Sequence, residues 1–188
     1  IDSEPVDLEP IDSEPVDEEP VDPEPVTEDP LLARAELIEN ISIDPVNILT
    51  SDRRKKDKIT GTSEQDFFLN GLGPDRLKGK GGADIFWFNR EEKYGKKHAE
   101  KIVKFNHRED IIVLGGSRFV GMSDAPKFIS AKRKSNFKDA LKSDIEFIYW
   151  SKKGRLYFNS NGDESGFGEG GLFARLSGAP DLSVISFG

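Results

Sequence analysis

The sequence predicts an all-β protein with a disordered acidic lead, and three observations carry that reading. Residues 61–87 repeat with a period of nine, with glycines in every block. Residues 145–158 alternate as a hairpin would: IEFIYWS, a KKG turn, then RLYF. Short apolar runs with Phe and Tyr fill the remaining C-terminal stretch, where only Phe137–Lys142 suits a short helix.

The lead is a second repeat, of period ten: IDSEPVDLEP, IDSEPVDEEP, VDPEPVTEDP. Residues 1–30 hold 13 acids, seven of the 11 prolines, and no Lys, Arg, Gly or aromatic residue. Proline at every fifth position removes amide donors and fixes φ, which opposes helix and sheet. Like charges extend the chain, and too few apolar groups remain to offset the entropy of ordering. Residues 1–30 are therefore expected to be an extended spacer, with 31–50 leading in to the folded part. Such dense carboxylates would also attract divalent cations loosely, without a cage. A spacer needs something on both sides. The chain opens at Ile1 rather than Met, so the expectation is a fragment with a passenger domain upstream.

Charge is split along the chain. The whole carries a formal -8, yet residues 31–188 keep 22 of the 35 acids against all 27 bases, a net of +5. Zero Cys excludes a disulfide scaffold, a thiolate metal site and a Cys nucleophile. No run approaches the ~18–20 apolar residues of a membrane span. No HExxH, GxSxG or Walker A pattern occurs, and the chain is expected not to be an enzyme. The two histidines, His98 and His107, fall short of a zinc set, even with Glu100 beside the first.

The nine-residue blocks are GTSEQDFFL, NGLGPDRLK and GKGGADIFW. Position six is Asp in all three (Asp66, Asp75, Asp84), and position eight is apolar (Phe68, Leu77, Phe86). Gly61, Gly71, Gly73, Gly79 and Gly82 fall at positions one, two and four. A block without glycine, DRRKKDKIT, precedes them and keeps Asp57 and Ile59 in phase. Glycines permit φ > 0, so six residues can turn tightly, and the apolar residue then points from a short strand to the core. The same blocks would also suit a glycine-rich hairpin region whose aspartates serve Asx-turns.

This pattern resembles the G-G-x-G-x-D-x-U-x repeat of RTX proteins, of the kind at the C-terminus of serralysin-like secreted proteases. The resemblance implies a short right-handed parallel β-roll over 51–89, two blocks per coil, followed by a β-rich cap over 90–188. It implies calcium as cofactor, held between turns one coil apart by carboxylates and backbone carbonyls. Carried onto this sequence, the best site is Gly61, Ser63 and Asp66 with Lys80, Gly82 and Asp84. A weaker site uses Asp52, Arg54 and Asp57 with Gly71, Gly73 and Asp75, because Arg53, Arg54, Lys55 and Lys56 stand where glycines belong. Asn70, Leu72 and Asp75 would form half of a third site, and the turn above it ends in Lys93 rather than Asp.

Beyond the blocks, AEKIVKFNHREDIIVL at 99–114 resembles the family's junction pattern, with Glu100 and Asp110 as further candidate ligands. Read from the residues alone, this stretch is two strands joined by a polar turn at Asn106–Glu109. The end of the chain resembles the family's terminal element: a tyrosine strand, a turn with Asn159, Asn161 and Gly162, and a Phe-Ala-x-Leu strand.

The expectation is thus a calcium-binding, secreted, extracellular module exported by type I secretion machinery, folding on calcium and carrying an upstream passenger. The alternative is an extracellular adhesion or matrix module whose basic cap (Lys132, Arg133, Lys134) binds anionic polysaccharide, with calcium only structural. Such patches also suit nucleic acid, although the acidic lead would compete for them; no nucleic-acid partner is expected. An enzyme with two facing acids in the cap is the remaining class.

Overall fold

The computed structural model describes residues 47–51, 55–69, 71–89, 91–115, 118–182 and 185–187, with the side chains of 186 and 187 left aside. The chain divides after Asn40, and every described residue lies in the second part. The decapeptide repeat, Asp52, Arg53, Arg54 and Asn70 lie outside the described residues.

Seven short strands come first: β1 (Asn47–Thr50), β2 (Lys58–Thr60), β3 (Asp66–Leu69), β4 (Arg76–Lys78), β5 (Ile85–Phe88), β6 (Glu100–Val103) and β7 (Ile111–Leu114). They alternate between two sheets. The odd-numbered strands form the order β1-β3-β5-β7, closed by β12 (Ser186–Phe187), with every pair parallel. The even-numbered strands open the second sheet, β2-β4-β6, also parallel, and β11 (Gly171–Leu176) continues it in parallel. From β11 the direction reverses through β10 (Arg155–Phe158) and β9 (Phe147–Trp150), and β8 (Phe128–Ala131) lies parallel on the far edge. The fold is β-rich, and the second sheet is mixed.

The registers follow the nine-residue blocks. Phe67 pairs with Ile85 and Lys58 with Arg76, so strands two blocks apart lie side by side. Position eight of each block therefore stacks. Phe68, Phe86 and Ile112 form one buried column, and Leu77, Ile102 and Leu176 another in the facing sheet. The Phe68 and Phe86 rings stack with centroids 4.7 Å apart. Each fully buried side chain of this size is worth roughly 1.5–3 kcal/mol of transfer free energy, which holds such short strands together. The alternating, parallel stack begins at β1 and runs through β7, beyond the blocks at both ends.

The expected hairpin forms: β9 and β10 pair antiparallel, Phe147 opposite Phe158, around a tight turn at Gly154. The short helix α1 sits at Lys134–Ala140, starting three residues and ending two residues earlier than expected, and buries Phe137 and Ala140. The stretch 99–114 forms the two strands and the turn after Asn106 read from its residues, and β6 and β7 enter different sheets. A cluster of Phe88, Phe119, Phe147, Phe158 and Phe173, in edge-on and tilted contacts, joins the parallel strands to the C-terminal region.

Candidate metal centre

The acidic residues of the repeats fall where each turn runs into its strand. Because strands 18 residues apart are neighbours, these acids stack into two columns at the sheet edges. In one, the Asp66 N–H donates to Asp84 Oδ1 at 3.1 Å, and the Asp84 N–H donates to Asp110 Oδ1 at 3.1 Å. In the other, the Asp57 N–H donates to Asp75 Oδ1 at 2.9 Å, and the Asp75 N–H donates to Glu100 Oε2 at 2.7 Å. Each carboxylate thus holds the backbone of the acid one coil below it. Asp66, Asp75, Asp84 and Glu100 are almost wholly buried, and Asp110 is 9% exposed.

The second oxygens fold back over their own turns. Asp66 Oδ2 accepts the Thr62 N–H at 2.6 Å, and Asp110 Oδ2 accepts the Asn106 N–H at 2.7 Å. This is why position one is glycine at Gly61 and Gly79. A Cβ on Gly61 would collide with Asp66 Oδ2 and approach the Gly79 carbonyl oxygen to 2.8 Å. A Cβ on Gly79 would collide with Asp84 Oδ2. Position four is left-handed, φ +118° at Gly73 and +87° at Gly82, and it lies against the backbone of Lys55 or Glu64 one coil earlier. Lys80 adopts φ +91°, a conformation that costs a side-chain-bearing residue about 1–2 kcal/mol.

The structure therefore brings together most of the residues singled out in the sequence. Gly61, Ser63 and Asp66 lie in the turn beneath Lys80, Gly82 and Asp84: the Gly79 carbonyl sits over Gly61, and Gly81 over the Ser63 carbonyl. Asp57 lies beneath Asp75, and Lys55 beneath Gly73. Lys93, which the nine-residue spacing puts above Asp75, does not occupy that place. Glu100 does, 25 residues on, and Asp110 stands 26 residues on from Asp84. Loops inserted after β5 and β6 lengthen this coil beyond 18 residues, so the block arithmetic fails there.

Burial dominates the electrostatics. Desolvation, then the charges of Asp110 and Asp66, pushes Asp84 up to about 7. Desolvation raises Asp75 and Asp110 as well. It lifts Glu100 to about 8, against the pull of Arg118. Two carboxylate oxygens, Asp75 Oδ2 and Glu100 Oε1, are buried with no hydrogen-bond partner. Buried, mutually repelling carboxylates call for a proton or a cation.

The donors on offer here are all oxygen: carboxylates and turn carbonyls, the ligand type of a hard cation. Among the described residues, no three His, Asp or Glu side chains converge as a metal-holding group. The acids meet in vertical pairs, so a bound cation would draw its remaining oxygens from turn carbonyls.

Two participants were not visible in the spacing. Glu92 Oε2 accepts the Gly73 N–H at 3.0 Å, and its Oε1 lies 3.3 Å from His98 Nδ1. His98 is thus paired with Glu92 rather than Glu100. Arg118 is 2% exposed, with Nη1 3.9 Å from Glu100 Oε1. A cavity of about 1270 Å³ opens beside them, lined by Gly73, Glu92, Tyr94, His98 and Phe158 among others.

Comparison with protein-family models, with curated proteins and with solved structures finds no match. No helix among the described residues is long and apolar enough to cross a membrane.

Proposed function

We propose that residues 47–114 are a right-handed parallel β-roll that binds calcium at its acid columns, and that the chain is the C-terminal module of a secreted, RTX-like protein with a passenger upstream. One observation carries the reading: carboxylates of like charge are stacked and buried, one coil apart, at turns built from glycine. In this reading Asp66 and Asp84, with Asp110 above, hold calcium together with the carbonyls of Gly61, Ser63, Lys80 and Gly82. Asp57 and Asp75, with carbonyls of Gly71 and Gly73, are the second candidate set. Calcium would supply the positive charge that turns carboxylate repulsion into attraction.

The chain's own residues set the response. At low calcium the stacked carboxylates of Asp66, Asp84 and Asp110 have no cation between them, and the coils separate for export by type I secretion machinery. At extracellular calcium, at Kd of about 10⁻⁴–10⁻³ M, the same residues are bridged and the folded form is favoured by RT ln(1 + [L]/Kd). The test is equilibrium dialysis with calcium. Asp66→Ala with Asp84→Ala is expected to abolish most binding, and unchanged affinity would overturn the reading.

A second reading rests on Lys132, Arg133 and Lys134, all exposed directly after edge strand β8. They would hold an anionic polysaccharide in an adhesion module, with calcium only structural. Retention on a sulfated-glycan column, lost on Lys132→Ala with Lys134→Ala, tests that reading.

A further inference from the structure

We infer that Arg118 is a built-in counter-cation that stands in a metal ion's place at the Glu100 step, confining divalent cations in that part of the stack to the Asp66–Asp84–Asp110 column. This rests on the calcium reading above and adds to it which carboxylates take the ion.

The two oxygens of Glu100 are differently engaged. Oε2 accepts the Asp75 N–H at 2.7 Å, while Oε1 has no hydrogen bond and faces Arg118 Nη1 at 3.9 Å. The guanidinium carbon lies 5.6 Å from the centroid of the Phe88 ring. That face favours a cation. The backbone is fixed on both sides: the Arg118 N–H donates to the Gly115 carbonyl at 3.3 Å, and the Arg118 carbonyl accepts the Tyr94 hydroxyl at 2.9 Å. Arg118 Nε and Nη2 are buried without hydrogen-bond partners. A guanidinium this deep, at this distance, gives Glu100 its charge more than its hydrogen bonds.

The other column has no such partner. Among the described residues, no Lys, Arg or His lies within ion-pair distance of Asp66, Asp84 or Asp110. The neighbouring side chains that push Asp84 up are Asp110 and Asp66, and the one that pushes Asp110 up is Glu109, all carboxyl groups rather than bases. A desolvated interior screens charge poorly. A divalent ion is therefore drawn to the unneutralised column and opposed where the guanidinium already sits. Removing either member of a buried ion pair leaves the other uncompensated, so the Arg118 position should accept a metal once its charge is gone.

The experiment counts calcium ions bound to the full chain by equilibrium dialysis, with melting followed in parallel. The proteins are the wild type, Asp84→Asn, Glu100→Gln, Arg118→Met and the Glu100→Gln/Arg118→Met pair. Glu100→Gln is expected to leave the ion count of the wild type unchanged, whereas Asp84→Asn lowers it. Arg118→Met is expected to bind one further ion, which the double variant loses. Loss of an ion in Glu100→Gln, or no added ion in Arg118→Met, overturns the inference. If Arg118→Met is unfolded in chelator, recovery of its melting transition in calcium with the extra ion supports the inference, and no recovery well above the millimolar range overturns it. A wild type that binds no calcium overturns the proposed function and with it the confinement of cations to the Asp66–Asp84–Asp110 column. The Arg118→Met arm then decides the remaining part, because gain of an ion there, lost with Glu100→Gln, assigns the metal's place to Arg118.

Discussion

The Asp66 amide and the Asp84 carboxylate are joined across 18 residues of sequence by one 3.1 Å hydrogen bond, N–H to Oδ1. The bond makes a side chain of one coil the keeper of the backbone in the coil below. It also buries a carboxylate directly above another, so the geometry that orders the stack also charges it.

That charge gives a pH dependence whose sign can be worked out. Asp84 titrates at about 7 in the folded chain against 3.8 when unperturbed, and Glu100 at about 8 against 4.5. For an acid raised in the folded state, the unfolded chain ionises first as pH rises. The contribution to stability is present below about pH 4 and is lost between about pH 4 and 8. In chelator, urea midpoints should fall across this window, and Asp84→Asn should flatten the fall. Calcium binding competes with those protons, so calcium affinity should rise over the same window.

Lys80→Gly should stabilise the fold. It relieves a left-handed Lys, worth about 1–2 kcal/mol, and returns about 0.4–1 kcal/mol through greater freedom of the unfolded chain. The expected net gain is about 0.5–1 kcal/mol, read as a higher urea midpoint at unchanged slope.

Gly79→Ala should do the reverse. Its methyl group would press on Asp84 Oδ2 and displace the carboxylate from the turn. A loss of about 1–3 kcal/mol is expected from this overpacking, together with weaker calcium binding. A control at Gly95, where an added Cβ meets nothing within 4 Å, should leave calcium binding unchanged, although its φ of +108° makes the substitution mildly destabilising.

Phe86→Ala should cost about 3–5 kcal/mol, because Phe86 is fully buried and stacked on Phe68 at 4.7 Å. Denaturant unfolding of the variant in saturating calcium checks this. A loss below about 1 kcal/mol would mean that the position-eight column is not a core.

The column positions at Asp57, Asp66, Asp75 and Asp84 were legible in the sequence because two nine-residue blocks make 18 residues, which is also the strand register. The same repeat marked Phe68, Leu77 and Phe86 as core. It stopped being informative where loops lengthened the coil. Glu100 and Asp110 were singled out through the resemblance of 99–114 to the family's junction pattern rather than by the spacing, and Lys93 stood at the periodic position that Glu100 fills in space. Arg118 carried no signal at all. Its burial depends on the Phe88 ring and the Tyr94 hydroxyl, which tertiary packing brings together from separate loops and strands.

In the proposed function the stacked acids make folding depend on calcium. Far-UV circular dichroism of the full chain, titrated with calcium and separately with magnesium, tests it most directly. Little β signal is expected in chelator at pH 8, with a saturable gain on adding calcium that magnesium does not reproduce. A fully formed β spectrum in chelator, unmoved by calcium and unchanged in Asp66→Ala with Asp84→Ala, would contradict it.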